Sequence, residues 1–238
     1  KELEADMSKG YGLGSGEPID FEILNGYPAG GQSSSATDMT KFMLAFLSGG
    51  ALGDRRILKA ETVTAMFDTV TALDDRQNGM GLGFYEAAKG RFRTVGHGGD
   101  TIAFHSDMHL IPSENFGFFV SYNSTGRGDT PPRSPLWRKF RERYFAEAPD
   151  TAKAVTENTK DIVGSYITTR RADTSLLKLF GVLGQATVSA NGDGTITVDT
   201  MRTLNGQTRR WEPLGNGEYR AMDSRARLIF KPDSAGRM

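Results

Sequence analysis

The stretch Val95-Gly96-His97-Gly98-Gly99-Asp100, followed by the largely apolar run from Thr101 to Pro112, determines how the rest of the chain is arranged. Glycine has no Cβ, so another backbone or a bound molecule can approach the main chain closely at Gly98 and Gly99. A histidine beside such a gap can form a hydrogen bond or exchange a proton near neutral pH. The stretch therefore predicts one side of a binding or catalytic site.

The sequence around this stretch alternates between apolar and polar residues with a period of two, which is typical of strands. The strands are predicted over 82–87, 91–95, 100–111 and 116–121. The turn segments Ala88-Lys89-Gly90 and Pro112-Ser113-Glu114-Asn115 join them as two hairpins. Four consecutive antiparallel strands are therefore expected around the glycine pair.

Three helices are predicted to flank this sheet. The first follows Ser35 and Asp38, which have the spacing of a capping box, and it ends at Gly49-Gly50. Its apolar face is formed by residues at helical spacing, namely Met39, Phe42, Met43, Phe46 and Leu47. A second helix is expected at about 59–68, with Val63, Met66 and Phe67 on one face. A third is expected over 134–148, lying across the sheet through Leu136, Phe140 and Tyr144.

The region after residue 148 has a different character. Residues 149–158 are polar and nonperiodic, which predicts a linker between a first domain over 1–148 and a second over 159–238. Short strands are predicted over 162–169, 186–190, 195–198, 209–212, 219–222 and 227–230, with glycine-rich turns between some of them. The second domain is thus expected to be a small antiparallel barrel or sandwich, and the whole chain an α+β protein.

The composition excludes several classes of partner. The 238 residues contain 29 Lys plus Arg and 29 Asp plus Glu, so the balanced charge argues against nucleic acid as a partner. The basic cluster between Arg138 and Arg143 lies in a helical pattern and is interpreted as its solvated face. The chain has no cysteine, so disulfides and thiolate chemistry are excluded. No apolar run has the length of a membrane span.

One group of residues has the composition of a metal site. His105, Asp107 and His109 alternate along a predicted strand and would share one face. Successive side chains on one face lie about 6.5 Å apart, so one ion rarely reaches all three. A polar sheet face is favoured, and a zinc site with a third ligand from elsewhere is the less favoured alternative. No metal and no cofactor are therefore predicted.

Several of these segments together resemble the serine β-lactamase-like hydrolases, a family of class C β-lactamases, penicillin-binding proteins and related esterases. The segments are Tyr27 to Gly31, Ser34 to Met39, Gly96 to Thr101, Phe104 to Ser106 and Phe116 to Val120. They cover roughly residues 25–125, in the order and spacing of the family. The resemblance implies the C-terminal half of the β-lactamase/penicillin-binding-protein fold, an antiparallel sheet with flanking helices.

The resemblance also implies a site. His97-Gly98-Gly99 matches the family's third motif, whose histidine or lysine orients the substrate or binds its acyl or carboxylate side. The backbone N–H of Asp100 would donate to the oxyanion, and small residues at 98 and 99 allow the substrate to approach. The implied reaction is acylation of a serine by an amide or ester, followed by hydrolysis. A β-lactam, a D-amino-acid peptide and a simple ester all remain open as substrates.

The chain departs from the family in one essential respect. The family's Ser-x-x-Lys and Tyr-x-Asn motifs precede the Gly-Gly loop, but neither occurs in the 29 residues before Gly30. Ser175-Leu176-Leu177-Lys178 lies past the domain boundary and is interpreted as a chance match. Ser121-Tyr122-Asn123 is interpreted as a strand end and turn. Because the chain opens at Lys1 without an initiator Met, we expect a fragment that lacks its nucleophile and is inactive alone.

The second domain resembles the small β domain that follows the hydrolase domain in some membrane-associated members of the family. The residues concerned are 164–167, 170–171, 176–179 and 188–197. This resemblance implies a bacterial, periplasmic or extracytoplasmic protein, anchored through parts outside this chain if it is anchored at all. A fragment would also expose apolar faces, which predicts self-association. The competing hypothesis is a non-catalytic binding or scaffold protein that retains a hydrolase-like platform.

Overall fold

The chain forms two compact units, Lys1–Glu147 and Ala148–Met238. The structure, a computed structural model, describes residues 6–12, 16–24, 27–126, 133–148, 150–167, 174–176, 184–203 and 205–232. The helices are α1 (Tyr27–Gly30), α2 (Ala36–Leu47), α3 (Ala60–Phe67) and α4 (Arg133–Tyr144). The strands of the first unit are β1 (Ala51–Leu52), β2 (Arg55–Arg56), β3 (Tyr85–Ala88), β4 (Thr94–Asp100), β5 (His105–Ile111) and β6 (Phe116–Tyr122). The α+β fold class is confirmed.

Four of these strands form one antiparallel sheet in the order β3-β4-β5-β6, as predicted. The prediction of a single strand over 100–111 was wrong, because β4 ends at Asp100 and the chain reverses before β5 begins at His105. The backbone N–H of Thr101 donates to the Phe104 carbonyl at 2.9 Å, and Thr101 Oγ1 accepts from Phe104 N at 2.9 Å. The threonine therefore closes a tight turn that the apolar pattern does not reveal.

Helix α2 begins where its capping residues predict. Ser35 Oγ accepts a hydrogen bond from Asp38 N at 3.1 Å and donates to Asp38 Oδ2 at 2.9 Å. Met43 and Phe46 on this helix are buried in a core with residues of α3 and of the sheet, Val63, Phe67, Phe84, Val95, Met108 and Leu110. The short hairpin formed by β1 and β2, which the sequence reasoning missed, follows the helix.

Helix α4 packs on the sheet through Phe140, as predicted, but with Trp137 rather than Leu136 and Tyr144 as its further contact. Leu136 and Tyr144 are 44% and 60% exposed, whereas Trp137 is buried. Trp137 and Phe140 pack with Phe92, Ile111, Phe116, Phe118 and Phe145 in a second apolar cluster. Because the indole is the largest apolar side chain of the helix, burying it outweighs burying the residue one position earlier.

The second unit is one antiparallel meander. Its strands are β7 (Gly164–Tyr166), β8 (Ala186–Ala190), β9 (Ile196–Arg202), β10 (Thr208–Gly215), β11 (Glu218–Ala221) and β12 (Arg227–Ile229), paired in sequential order. Trp211 and Tyr219 are buried on its concave face. The rings of Tyr166 on β7 and Phe230 after β12 lie 5.5 Å apart, so the two ends of the sheet curl towards each other.

The segment predicted as a linker makes specific contacts with the second unit. Asp150 forms ion pairs with Arg220, at 3.2 Å, and with Arg227. Val155 N donates to the Pro213 carbonyl at 2.9 Å, and Gly217 N donates to Glu157 Oε1 at 3.2 Å. Residues 150–157 are therefore part of the structure of this unit. In the described part of the chain, no helix has both the length and the apolar character needed to cross a membrane.

Candidate functional site

The strand that carries the His-Gly-Gly motif extends beyond its neighbour on one side. The β3–β4 pairing ends at Tyr85 opposite Gly96, whereas the β4–β5 pairing continues to Asp100 opposite His105. The segment 97–100 therefore lies past the last residue pair that β4 forms with β3. An extended ligand can bind along a strand edge through main-chain hydrogen bonds.

His97 is the first residue of β4 past this last pair, and its ring is held on two sides. Its Nδ1 is 2.7 Å from the carbonyl oxygen of Gly83. Its ring stacks on Tyr85 with centroids 4.6 Å apart and planes at 20°. The side chain is exposed, so it is oriented by the protein and still accessible to a ligand.

Two glycines of the motif are required by the close approach of β5. A Cβ on Gly96 would lie 2.2 Å from the Met108 carbonyl oxygen, a backbone atom that cannot move away without distorting the sheet. A Cβ on Gly99 would lie 3.0 Å from Ser106 Oγ, which is a milder conflict. Gly96 was not among the predicted site residues, although its place directly before the histidine was a signal for it.

Asp100 and His97 project from opposite faces of β4, because they lie three positions apart on the strand. Asp100 Oδ1 lies 2.7 Å from Nδ1 of His105, its direct cross-strand partner, and His105 is buried. The structure therefore brings the backbone of residues 97–100 together along one edge but keeps the two polar side chains apart. Through His105, the side chain of Asp100 fixes the end of the strand.

Glu22 fixes the same strand end from the N-terminal segment. Its carboxylate accepts hydrogen bonds from Thr101 Oγ1 at 2.6 Å, from Ile102 N at 2.6 Å and from Ala103 N at 3.1 Å. Burial opposes ionisation, but these hydrogen bonds, with the charge of His105, lower the pKa of Glu22 below its ordinary value. Sequence reasoning missed Glu22, because nothing local indicates a contact with residues about eighty positions later.

The alternating group on β5 has structural partners. His109 Nε2 lies 2.9 Å from Asp107 Oδ2, and the His109 ring stacks on Trp137 of α4 with centroids 4.2 Å apart. His109 therefore belongs to the contact between helix and sheet, as the interpretation of a polar face covered by a helix expected. No group of three or more side chains suited to hold a metal ion occurs in the part of the chain that the structure describes.

The two serine motifs that imitate family motifs are not brought near His97 by any described contact. Ser121 lies on β6 opposite Ser106, and Tyr122 is the last residue of that strand. Asn123 Nδ2 donates to Ser8 Oγ at 3.1 Å and to the Lys9 carbonyl at 3.0 Å, so it closes the sheet end. For the second motif, Leu177 and Lys178 lie outside the described residues.

The family comparison matches the first unit of the chain. Residues 3–141 match the family model described as beta-lactamase. No curated protein matches the chain.

The solved structures that match are distant in sequence. The crystal structure of SurE with D-Leu is 17% identical, with 80% of this chain and 42% of that chain covered and a TM-score of 0.45. A second SurE structure gives 18% identity, coverage of 76% and 40%, and a TM-score of 0.40. The octameric penicillin-binding protein homologue from Pyrococcus abyssi is 17% identical, with 83% of this chain and 47% of that chain covered and a TM-score of 0.34. The chain thus spans less than half the length of each of these proteins.

Proposed function

Because this chain belongs to the β-lactamase family, we propose that its strand β4 forms the substrate-side edge of a serine hydrolase site. The observation that supports this role is the length of β4, whose residues 97–100 continue past the last β3 pair at Gly96. An amide or ester substrate lies along this edge with its reacting carbonyl near the backbone N–H of Asp100. That N–H is one oxyanion donor, an interaction whose loss typically costs about 3 kcal/mol of transition-state stabilisation.

In this proposal the side chains around the edge have separate roles. Gly98 and Gly99 keep the edge free of side chains, so that the substrate backbone can approach the strand. His97 contacts the substrate directly and orients it. Asp100 and Glu22 do not touch the substrate; they hold the strand end through His105 and the 101–104 turn.

The reaction also needs a nucleophile, which we propose lies outside this sequence. Acyl transfer through a covalent intermediate requires an activated serine near the oxyanion donors. Ser121 on β6 is paired across the sheet with Ser106 of β5, a strand end rather than an activated position. We therefore expect the 238 residues alone to give no turnover.

The first experiment measures turnover of a chromogenic β-lactam and of a p-nitrophenyl ester by the purified chain. No rate above background is expected, and Ser121→Ala and Ser175→Ala should change nothing. Catalysis that is lost in either serine variant would overturn the assignment of the nucleophile to another segment.

The second experiment concerns the coding sequence upstream of Lys1. If it encodes a Ser-x-x-Lys motif about a hundred or more residues earlier, the extended protein should be acylated by a fluorescent penicillin or fluorophosphonate probe. His97→Ala should slow this acylation by at least about tenfold. An extended protein that is never acylated would instead favour the scaffold hypothesis.

The cellular location belongs to the same proposal. We place the protein outside the cytoplasm of a bacterium, in the periplasm or on the outer side of a membrane, as the resemblance of both domains implies. Cell fractionation with an antibody against the second domain tests this. Recovery of the protein in the cytoplasmic fraction would contradict it.

A further inference from the structure

The hydrogen bond from His97 to Gly83 determines which ring nitrogen carries the proton. A carbonyl oxygen can only accept, so the 2.7 Å contact requires Nδ1 to be the donor. A neutral imidazole has a single N–H, and Nε2 is then left with a lone pair. The second nitrogen is therefore an acceptor whenever the ring is neutral.

The surroundings fix the orientation of the ring and leave it accessible. The stack on Tyr85 fixes the plane of the ring, and the side chain is exposed. In the part of the chain that the structure describes, Nε2 has no hydrogen-bond partner of its own. Tyr85 on β3 is the titratable side chain against the ring, and the facing residues Met108 on β5 and Phe119 on β6 are uncharged.

We propose that Gly83 and Tyr85 hold the neutral ring of His97 as the Nδ1–H tautomer, so that the site selects ligands with an N–H or O–H donor over ligands with a free carboxylate. The inference rests on the proposed function, since it assigns the ligand to the edge of β4. A carboxylate has no hydrogen to donate to Nε2 and would meet its lone pair.

Gly83 and Tyr85 act here as positioning residues, since they reach the ligand only through His97.

The tautomer is measured directly by nitrogen-15 NMR of the histidine rings, with His97→Gln used to assign the signal. At about pH 8 the expected result is a protonated Nδ1 and an unprotonated Nε2. A protonated Nε2 would overturn the inference. Tyr85→Ala should give a mixture of tautomers, and the exposed Tyr144→Ala is the matched control. The tautomer is read from the spectrum of the wild type, so the test remains valid if the Tyr85→Ala variant misfolds.

Ligand preference is measured with benzamide and benzoate, which share a ring and differ in the group that meets Nε2. At about pH 8 benzamide should perturb the Nε2 signal and bind at least about tenfold more tightly than benzoate. Equal affinities at this pH, or no perturbation by benzamide, would overturn the inference. Neither measurement needs turnover, so failure of the proposed acyl transfer leaves a distinguishable result.

Discussion

The carboxylate of Glu22 lies 2.6 Å from the backbone nitrogen of Ile102 and joins the N-terminal segment to the turn that follows β4. Glu22→Gln keeps the shape of the side chain but replaces an acceptor oxygen with an amide that faces backbone donors. We expect the free energy of unfolding to fall by about 1–3 kcal/mol in a denaturant titration.

The exposed Asp20→Asn is the matched control for this change and should be neutral. Because the pKa of Glu22 is lowered in the folded state, its contribution is complete above the ordinary range of a glutamate. It is lost as the pH falls through the lowered pKa. The difference between wild type and Glu22→Gln should therefore shrink in acid, and a difference that grows there would contradict this account.

Gly96→Ala should destabilise the sheet, because the new Cβ would lie 2.2 Å from the Met108 carbonyl oxygen. We expect a loss of about 1–3 kcal/mol, the usual cost of overpacking. Gly99→Ala should cost less, since Ser106 Oγ belongs to a side chain that can rotate. Gly12→Ala meets nothing within 4 Å and is the control. Equal stability of the three variants would show that the strands do not approach so closely.

Trp137→Ala should detach α4 from the sheet, because the indole stacks on His109 at 4.2 Å and is buried. A cost of about 3–5 kcal/mol is expected for removing a buried tryptophan. The readout is amide hydrogen exchange, which should accelerate along β5 and β6. Leu136→Ala, at a neighbouring and 44% exposed position, should leave the exchange unchanged. A larger effect of Leu136→Ala than of Trp137→Ala would show that α4 packs on the sheet through Leu136, as the sequence pattern predicted.

Asp150 should make the second unit sensitive to acid. The hydrogen bond from Arg227, helped by Ala152 N and Arg220, lowers the pKa of this carboxyl from 3.8 to about 2. The folded state therefore binds its proton more weakly than the unfolded chain. The stabilisation is complete above about pH 4 and is lost as the pH falls towards 2.

Asp150 contributes about 2 kcal/mol to the free energy of unfolding by linkage, since its side chain is only 21% exposed. Asp150→Asn should remove that amount at neutral pH. It should also reduce the loss of stability below about pH 4, which amide exchange of β11 and β12 follows. The exposed Asp161→Asn is the control. If Asp150→Asn loses stability in acid as steeply as the wild type, other groups cause the acid sensitivity.

Self-association is expected through exposed apolar side chains of the N-terminal segment and of the turn after β4. Phe21, Ile23 and Ile102 are 63%, 85% and 71% exposed, and Glu22 bridges to Ile102 between them. Sedimentation should show concentration-dependent association of wild type that Ile23→Ser with Ile102→Ser weakens. Ile57→Ser, which removes an equally exposed side chain elsewhere in the unit, is the control. A monodisperse monomer of wild type would contradict the prediction.

Local patterns in the sequence were sufficient for most of the elements. The Ser35 cap, the apolar spacing of α2 and the period of two from residue 82 onward depend on neighbours within a few positions, and the structure confirms them. The turn after Asp100 was missed for the same reason, since hydrogen bonds of Thr101 end the strand without changing the apolar pattern. The buried face of α4 was misplaced in part because spacing does not weigh the size of Trp137.

The sequence by itself determined the family resemblance and the His-Gly-Gly motif, because both are properties of consecutive residues. Only the tertiary structure decided that β4 extends past its last pair with β3 and that Glu22 and His105 hold the end of β4. It also decided that His97 Nδ1 faces the Gly83 carbonyl. These relationships join residues far apart in the chain, so they depend on strand register and on the direction of single hydrogen bonds. A pattern of residue types does not encode either of these directly.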